Sequence, residues 1–137
     1  MFIIDIGITQ KLELTLKLTL DSTAANVISA WEDGTVRVGG TWYSGHLILT
    51  PETIIKNWQV TLPENLRLSH LEPVINLDPE IIIVGTGMQL IFPNTRLTRL
   101  LAEKKIGLEI MDTPAACRTY NVLVHEGRRV AVALFNK

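Results

Sequence analysis

A chain of 137 residues matches one domain, and a composition of 47% hydrophobic and 20% charged residues belongs to a chain that folds around a core, not to a disordered one. The formal net charge of −1 lacks the positive field that draws proteins to phosphate backbones or anionic lipid, so no nucleic-acid partner is expected. The single cysteine, Cys117, can make neither an internal disulfide nor a Cys-rich zinc site, which fits a reducing, cytoplasmic setting.

The opening run Met1-Phe2-Ile3-Ile4 is interrupted by Asp5 and has no basic region before it. It does not read as an export signal, and no apolar stretch reaches the length needed for membrane insertion. Residues 11–20 alternate strictly, with Leu12, Leu14, Leu16, Leu18 and Leu20 on one side and Glu13, Thr15, Lys17 and Thr19 on the other. Period two predicts a strand with one wet face, because a helix would scatter these leucines around its circumference. Residues 26–32 and 35–38 flank Asp33-Gly34, a tight-turn dipeptide, and so predict a hairpin. Gly39-Gly40 offers a second reversal, and the chain then runs through Thr41-Trp42-Tyr43 toward His46-Leu47-Ile48-Leu49. The first half is thus expected to be an antiparallel meander that ends at Thr50-Pro51-Glu52, since proline lacks the donor a central strand needs.

Ser69 with Glu72 three residues on has the spacing of a capping box, and predicts a short helix carrying Leu71, Val74 and Ile75. Glu80-Ile81-Ile82-Ile83-Val84 reads as a strand buried on both faces that ends at Gly85-Thr86-Gly87. Beyond Pro93, Asn94 can cap a helix with Leu97, Leu100 and Leu101 on one face, Lys104 and Lys105 near its negative end and Gly107 as its stop. Leu108-Glu109-Ile110-Met111 forms the next strand. Asp112-Thr113-Pro114 opens a helix with Ala116, Tyr120, Leu123 and Val124 on its apolar face, Gly127 closes it, and residues 130–135 form the last strand. A strand-helix-strand-helix-strand order requires crossovers, so the expected fold class is α/β: a mixed sheet backed by helices in a β-α-β-α-β C-terminal half, joined to the antiparallel N-terminal meander. The chain is expected to form a single domain over residues 1–137.

If the strands ending at Val84 and Met111 are parallel, Gly85-Thr86-Gly87 and Asp112-Thr113-Pro114 leave the sheet at one rim, where open α/β sheets bind ligands. Two accounts of that rim are open. Free amides there could hold a small anion, or the rim is a strand-end turn beside a self-capped helix. Gly-x-Gly by itself is not a dinucleotide fingerprint, so no cofactor is expected. Cys117 falls near the start of the same helix, yet its position between Ala116 and Tyr120 puts it on the buried face, and none of His46, His70 and His125 stands in a partner motif for a nucleophile. No catalytic residue is assigned. The histidines are too widely spaced for a metal site. Trp31, Trp42 and Trp58 read as core anchors, and Arg118 with Arg128 and Arg129 as a solvated helix end.

The stretch from Met111-Asp112-Thr113-Pro114-Ala115-Ala116-Cys117-Arg118-Thr119-Tyr120-Asn121-Val122-Leu123 into Glu126-Gly127-Arg128-Arg129-Val130-Ala131 resembles the signature of the Mth938-like family. Gly85-Thr86-Gly87 after an apolar strand, and the order of glycine turns and a proline-ended strand upstream, extend the likeness over residues 26–135. The resemblance implies a three-layer β/β/α fold. It also implies a non-enzymatic interaction or assembly module with a protein partner, because a mitochondrial relative assists assembly of respiratory complex I and another animal relative is linked to adipogenesis. The positions it marks as a candidate pocket are Gly85, Thr86, Gly87, Asp112, Thr113, Cys117, Thr119, Asn121 and Arg128. The alternative is a small-ligand binder or enzyme that uses this pocket for an anion.

Overall fold

The computed structural model describes residues 25–136; the alternating leucine segment at 11–20 lies outside the described residues. Three short strands open the described chain: β1 (Ile28–Glu32), β2 (Thr35–Val38) and β3 (Thr41–Ser44). They pair antiparallel in chain order through Asp33-Gly34 and Gly39-Gly40. The pairing puts Val36 opposite Trp31 and Tyr43, and Arg37 opposite Ala30 and Trp42. Val36 and Val38 are buried and Arg37 between them is exposed, the period-two division of a sheet with one covered face. Trp42 falls on Arg37's face and is 46% exposed. It is therefore not the core anchor its residue type suggests, whereas Trp58 is buried.

The meander does not continue through residues 41–49 as one layer. At Ser44-Gly45 the chain turns with Gly45 at φ 83°, a backbone conformation that L-residues avoid. It leaves the small sheet and enters a second one as β4 (Leu47–Leu49), followed by β5 (Ile54–Lys56). The larger sheet is completed by β6 (Ile81–Gly85), β7 (Gly107–Met111) and β8 (Val130–Leu134), in the order β5-β4-β8-β6-β7. Pairing is antiparallel from β5 through β4 to β8 and parallel from β8 through β6 to β7, the mixed sheet that the order of elements predicts.

Both faces of this sheet are covered, which explains why β6 and β8 carry continuous apolar runs. Ile48, Ile82, Val84, Ala131 and Ala133 point to one side and Leu47, Leu49, Ile83, Val132 and Leu134 to the other. The first side packs against α1 (Glu72–Ile75) and α2 (Arg96–Ala102) through Leu71, Val74, Leu97 and Leu101. The second packs against the small sheet through Ile28, Val36 and Val38. The molecule is thus a three-layer α/β fold of small sheet, large sheet and helices, with α3 (Thr113–His125) lying beside the small sheet through Ala116, Cys117 and Tyr120.

Two local readings change in detail, and a third holds. The segment at Ser69 begins as a 3-10 turn, Leu68–Leu71, before the single α-helical turn of α1. Its start is held by His70, whose Nδ1 accepts the Arg67 amide at 2.9 Å, and Ser69 makes no cap. In α2, Asn94 accepts the Arg96 amide at 2.8 Å, but the stop is Lys105 and not Gly107. Lys105 takes φ 65°, its amide donates to Ala102 O, and the amide of buried Ile106 donates to Leu101 O. That is the two-bond Schellman ending with its hydrophobic contact, here with lysine in the usual glycine position. Burial of Ile106 offsets the strain, and Gly107 is left to begin β7. At the end of α3 the same two bonds form with Gly127 at φ 76°, as the glycine signal predicts.

Candidate functional site: the strand-end rim and its loop

Parallel pairing of β6 with both β7 and β8 aligns Gly85 with Met111 and Leu134, so three strand ends meet at one rim. Antiparallel β4 aligns Leu47 with Leu134, which brings His46 to the same rim. Of the candidate residues, Gly85, Thr86, Gly87, Asp112 and Thr113 gather here, and Cys117 lies below them on the inner face of α3. The other three sit elsewhere.

The donors of the rim are used internally. Gly87 donates its amide to Thr113 Oγ1 at 2.8 Å, and the Thr113 amide returns to Gly87 O at 2.8 Å. Asp112 Oδ1 accepts the Ala115 amide at 2.9 Å, and Ala116 N bonds to Asp112 O. With proline at position 114, the first turn of α3 retains no amide for an anion, and Thr113 is wholly buried. The arrangement is a self-capped helix locked to the strand-end turn. Gly85 is needed for the close approach of this helix. A Cβ there would stand 2.8 Å from Leu134 Cδ2, 3.0 Å from Ala116 Cβ and 3.1 Å from Thr113 Oγ1.

Cys117 is buried, and burial pushes its thiol up to about 12, against a small opposing effect of Arg118. A thiol in that state carries almost no thiolate at neutral pH. Native protein is expected to resist an aromatic disulfide reagent at about pH 8 and to react fully once unfolded in urea; rapid labelling of the folded chain would show that the thiol reaches solvent.

The three remaining candidates do other work. Asn121, on the side of α3 that faces the small sheet, makes a two-point pair with the backbone of Ile28: its Oδ1 accepts the Ile28 amide at 2.9 Å and its Nδ2 donates to Ile28 O at 2.8 Å. The side-chain amide bonds the edge of β1 as a neighbouring strand would. Tyr120 reinforces it by donating to Asn26 O at 2.8 Å. Thr119 is half-buried beside them. Arg128 lies at the opposite rim, where its Nε donates to Glu80 Oε2 at 2.7 Å. That bond holds the Glu80 carboxyl below its ordinary range, with the Arg129 amide assisting. Both groups are open to water, so the pair is local and weak.

Thr86 has the most distinctive role at the rim. Its buried hydroxyl donates to Gln89 O at 2.6 Å and accepts the Ile91 amide at 3.1 Å, while its own amide bonds Met111 O. These bonds pinch the loop between β6 and α2 into a fixed shape. From that loop Met88, Leu90 and Phe92 are 66%, 49% and 66% exposed. One short segment thus holds three large apolar side chains open to water. Sequence reading missed them because Met88, Leu90 and Phe92 stand two apart, as on one face of a strand, but apolar Ile91 between them breaks the alternation that would mark a wet face.

Beside the loop lies an open cleft of about 780 Å³, bordered by Asp33, His46, Leu62, Met88, Ile91 and Phe135. Among the described residues no helix is long and apolar enough to cross a membrane, and no group of His, Cys, Asp and Glu is placed to hold a metal ion.

Two β layers and a helical layer are the architecture of the Mth938-like class, the description given to a Bordetella pertussis protein that is 33% identical to this chain with a TM-score of 0.69. The match to the family described as "Protein of unknown function (DUF498/DUF598)" runs over residues 28–135, and the chain belongs to this family. It is similar to a Bordetella parapertussis protein of known crystal structure, 37% identical with a TM-score of 0.77, covering 83% of this chain and 98% of that one. It is 30% identical to the bovine protein named NADH dehydrogenase [ubiquinone] 1 alpha subcomplex assembly factor 3, over 85% of this chain and 64% of that protein. It is also 30% identical to the 13 kDa major membrane protein of Francisella tularensis, over 63% of this chain and 72% of that protein. The chain spans between half and two thirds of the length of the rat and bovine assembly factors it matches.

Proposed function

We propose that this protein is a non-enzymatic interaction module that assists the assembly of a larger protein complex, with the respiratory NADH dehydrogenase as the class of target. The observation that carries this reading is the pinned loop with Met88, Leu90 and Phe92 open to water. Exposure of this kind is costly in a free monomer and useful in a protein that lends its surface to a partner. The assembly-factor name of the bovine relative supplies the direction. A buried, unpaired Cys117 accords with a cytoplasmic setting.

Photo-crosslinking in the native host tests the reading. A benzophenone side chain in place of Phe92 is expected to give one discrete, reproducible protein adduct. The same group in place of Val122, which is 54% exposed on the outer side of α3, is expected to give none. No adduct at position 92, or the same smear of adducts from both positions, would overturn it.

A further inference from the structure

The cleft beside the loop has a chemistry of its own. Its walls are mainly apolar, from Phe135, Ile91, Pro63, Leu62 and Met88, with Thr61 and Gln89 also on the lining. Among the described residues, the one formal charge on its lining is the carboxylate of Asp33, and no lysine or arginine borders it. An anion entering here would meet that carboxylate with nothing to offset it, whereas a cation would find a counter-charge beside low-dielectric walls.

His46 adds direction. Its Nδ1 accepts the Asn136 amide at 3.0 Å, which places the ring proton on Nε2. The ring is held edge-on to Phe135, with centroids 5.5 Å apart, and Phe135 is braced in turn by Trp58 at 5.1 Å. Trp58 is anchored by its Nε1 donating to His70 O at 2.8 Å. The Nε2 atom has no partner among the described residues and is not one of their buried unpaired polar atoms. It therefore offers one oriented N–H donor, on a ring that packs against Phe135, which packs in turn against Trp58.

We propose that this cleft receives an extended segment of a partner protein in which a lysine or arginine stands beside apolar side chains. The apolar residues lie against Phe135 and Met88, a backbone carbonyl of the segment accepts from His46 Nε2, and the cation meets Asp33. Extended backbone suits the site because a fixed donor beside mainly apolar walls is matched by a strand's alternation of side chains and carbonyls. The proposal rests on the interaction-module reading and gives the chemistry of what that module binds.

The test uses the full chain, immobilised and panned against a randomised heptapeptide phage library. Enriched peptides are expected to carry Lys or Arg next to apolar residues and to be depleted of Asp and Glu. Asp33→Lys, at an exposed turn, is expected to reverse that preference. His46→Asn keeps an oxygen where Nδ1 accepts the Asn136 amide but removes the Nε2 donor. It is expected to weaken the best selected peptide about tenfold, the scale of one hydrogen bond, with an unchanged far-ultraviolet dichroism spectrum. Enrichment of acidic peptides, or an unaltered selection by Asp33→Lys, overturns the proposal. If no peptide is enriched while the crosslink from position 92 persists, the cleft assignment fails and the interaction module stands. Should peptides be enriched with no crosslink from position 92, the cleft stands as a peptide site and the assembly role fails.

Discussion

Replacing Asn121 by leucine is expected to destabilise the protein by about 2–3 kcal/mol, because two backbone groups lose their partners at once. The Ile28 amide and carbonyl point away from β2 toward α3, where the Asn121 side chain meets both at 2.9 and 2.8 Å. Leucine conserves volume but supplies neither donor nor acceptor. The loss should also be local. Ile28, Val36 and Val38 reach the main core from the small sheet, and Asn121 with Tyr120 ties the edge of that sheet to α3. Amide hydrogen exchange is therefore expected to accelerate in β1 and β2 well before it does in β6, which is paired on both sides by β7 and β8. Urea unfolding of the variant, followed by exchange in native buffer, reads both effects. A cost below about 0.5 kcal/mol, the ordinary scatter of surface substitutions, would show that packing alone holds the small sheet in place.

The second large effect concerns the contact of α3 with the sheet. Gly85→Ala is expected to cost about 1–3 kcal/mol through overpacking, although the change adds only a methyl group and the backbone at this position is ordinary. The reason is the proximity of Leu134 Cδ2, Ala116 Cβ and Thr113 Oγ1, all within 2.8–3.1 Å of the new Cβ. Two of these belong to α3, so any movement that relieves the clash pulls Thr113 away from the Gly87 amide, to which it bonds at 2.8 Å. Leu134→Val removes the nearest of the three atoms. The double variant should therefore lose less stability than the two single changes combined, by about 0.5 kcal/mol or more, as expected for residues in direct contact. Strict additivity would mean that the two sites do not meet in solution.

Much of this architecture could be read before folding was considered, and the reasons are local. Asp112 caps α3 because a short acceptor side chain before a proline-bearing first turn suits that role in any context, and its bond to the Ala115 amide is present. The apolar run before Gly85 became a doubly covered strand because only a central position can accommodate apolar side chains on both faces. The helix stop at Lys105 was hidden for the opposite reason. Lysine has no intrinsic preference for positive φ, and the position is imposed by the burial of Ile106 next to it. The switch of sheets at Gly45 was equally silent, since a glycine between two strand-like runs fits a continuing meander as well as a change of layer.

The candidate site divides along the same line. Convergence of Gly85-Thr86-Gly87 with Asp112-Thr113 follows from the order of elements and the right-handed crossover, and the parallel register of β6 and β7 confirms it. Sequence spacing carried no information on how the amides at that rim would be used. Free and internally bonded donors have the same sequence, and the choice depends on whether α3 comes close enough for Thr113 to reach Gly87. Arg128 illustrates the limit most simply: it follows α3 in the chain, and α3 is long enough to carry it to the far rim, beside Glu80.

By itself the sequence determined the periodicities, the caps and the crossover order, and with them the α/β class and the family, because each of these depends on residues close together in the chain. Tertiary structure alone decided which polar groups were left without partners, which apolar side chains stayed in water, and that His46, Asp33 and Phe135 would border one cleft. Those outcomes depend on distances between residues as far apart in the chain as 46 and 136, and such distances exist only after the strands have paired and the layers have closed on one another.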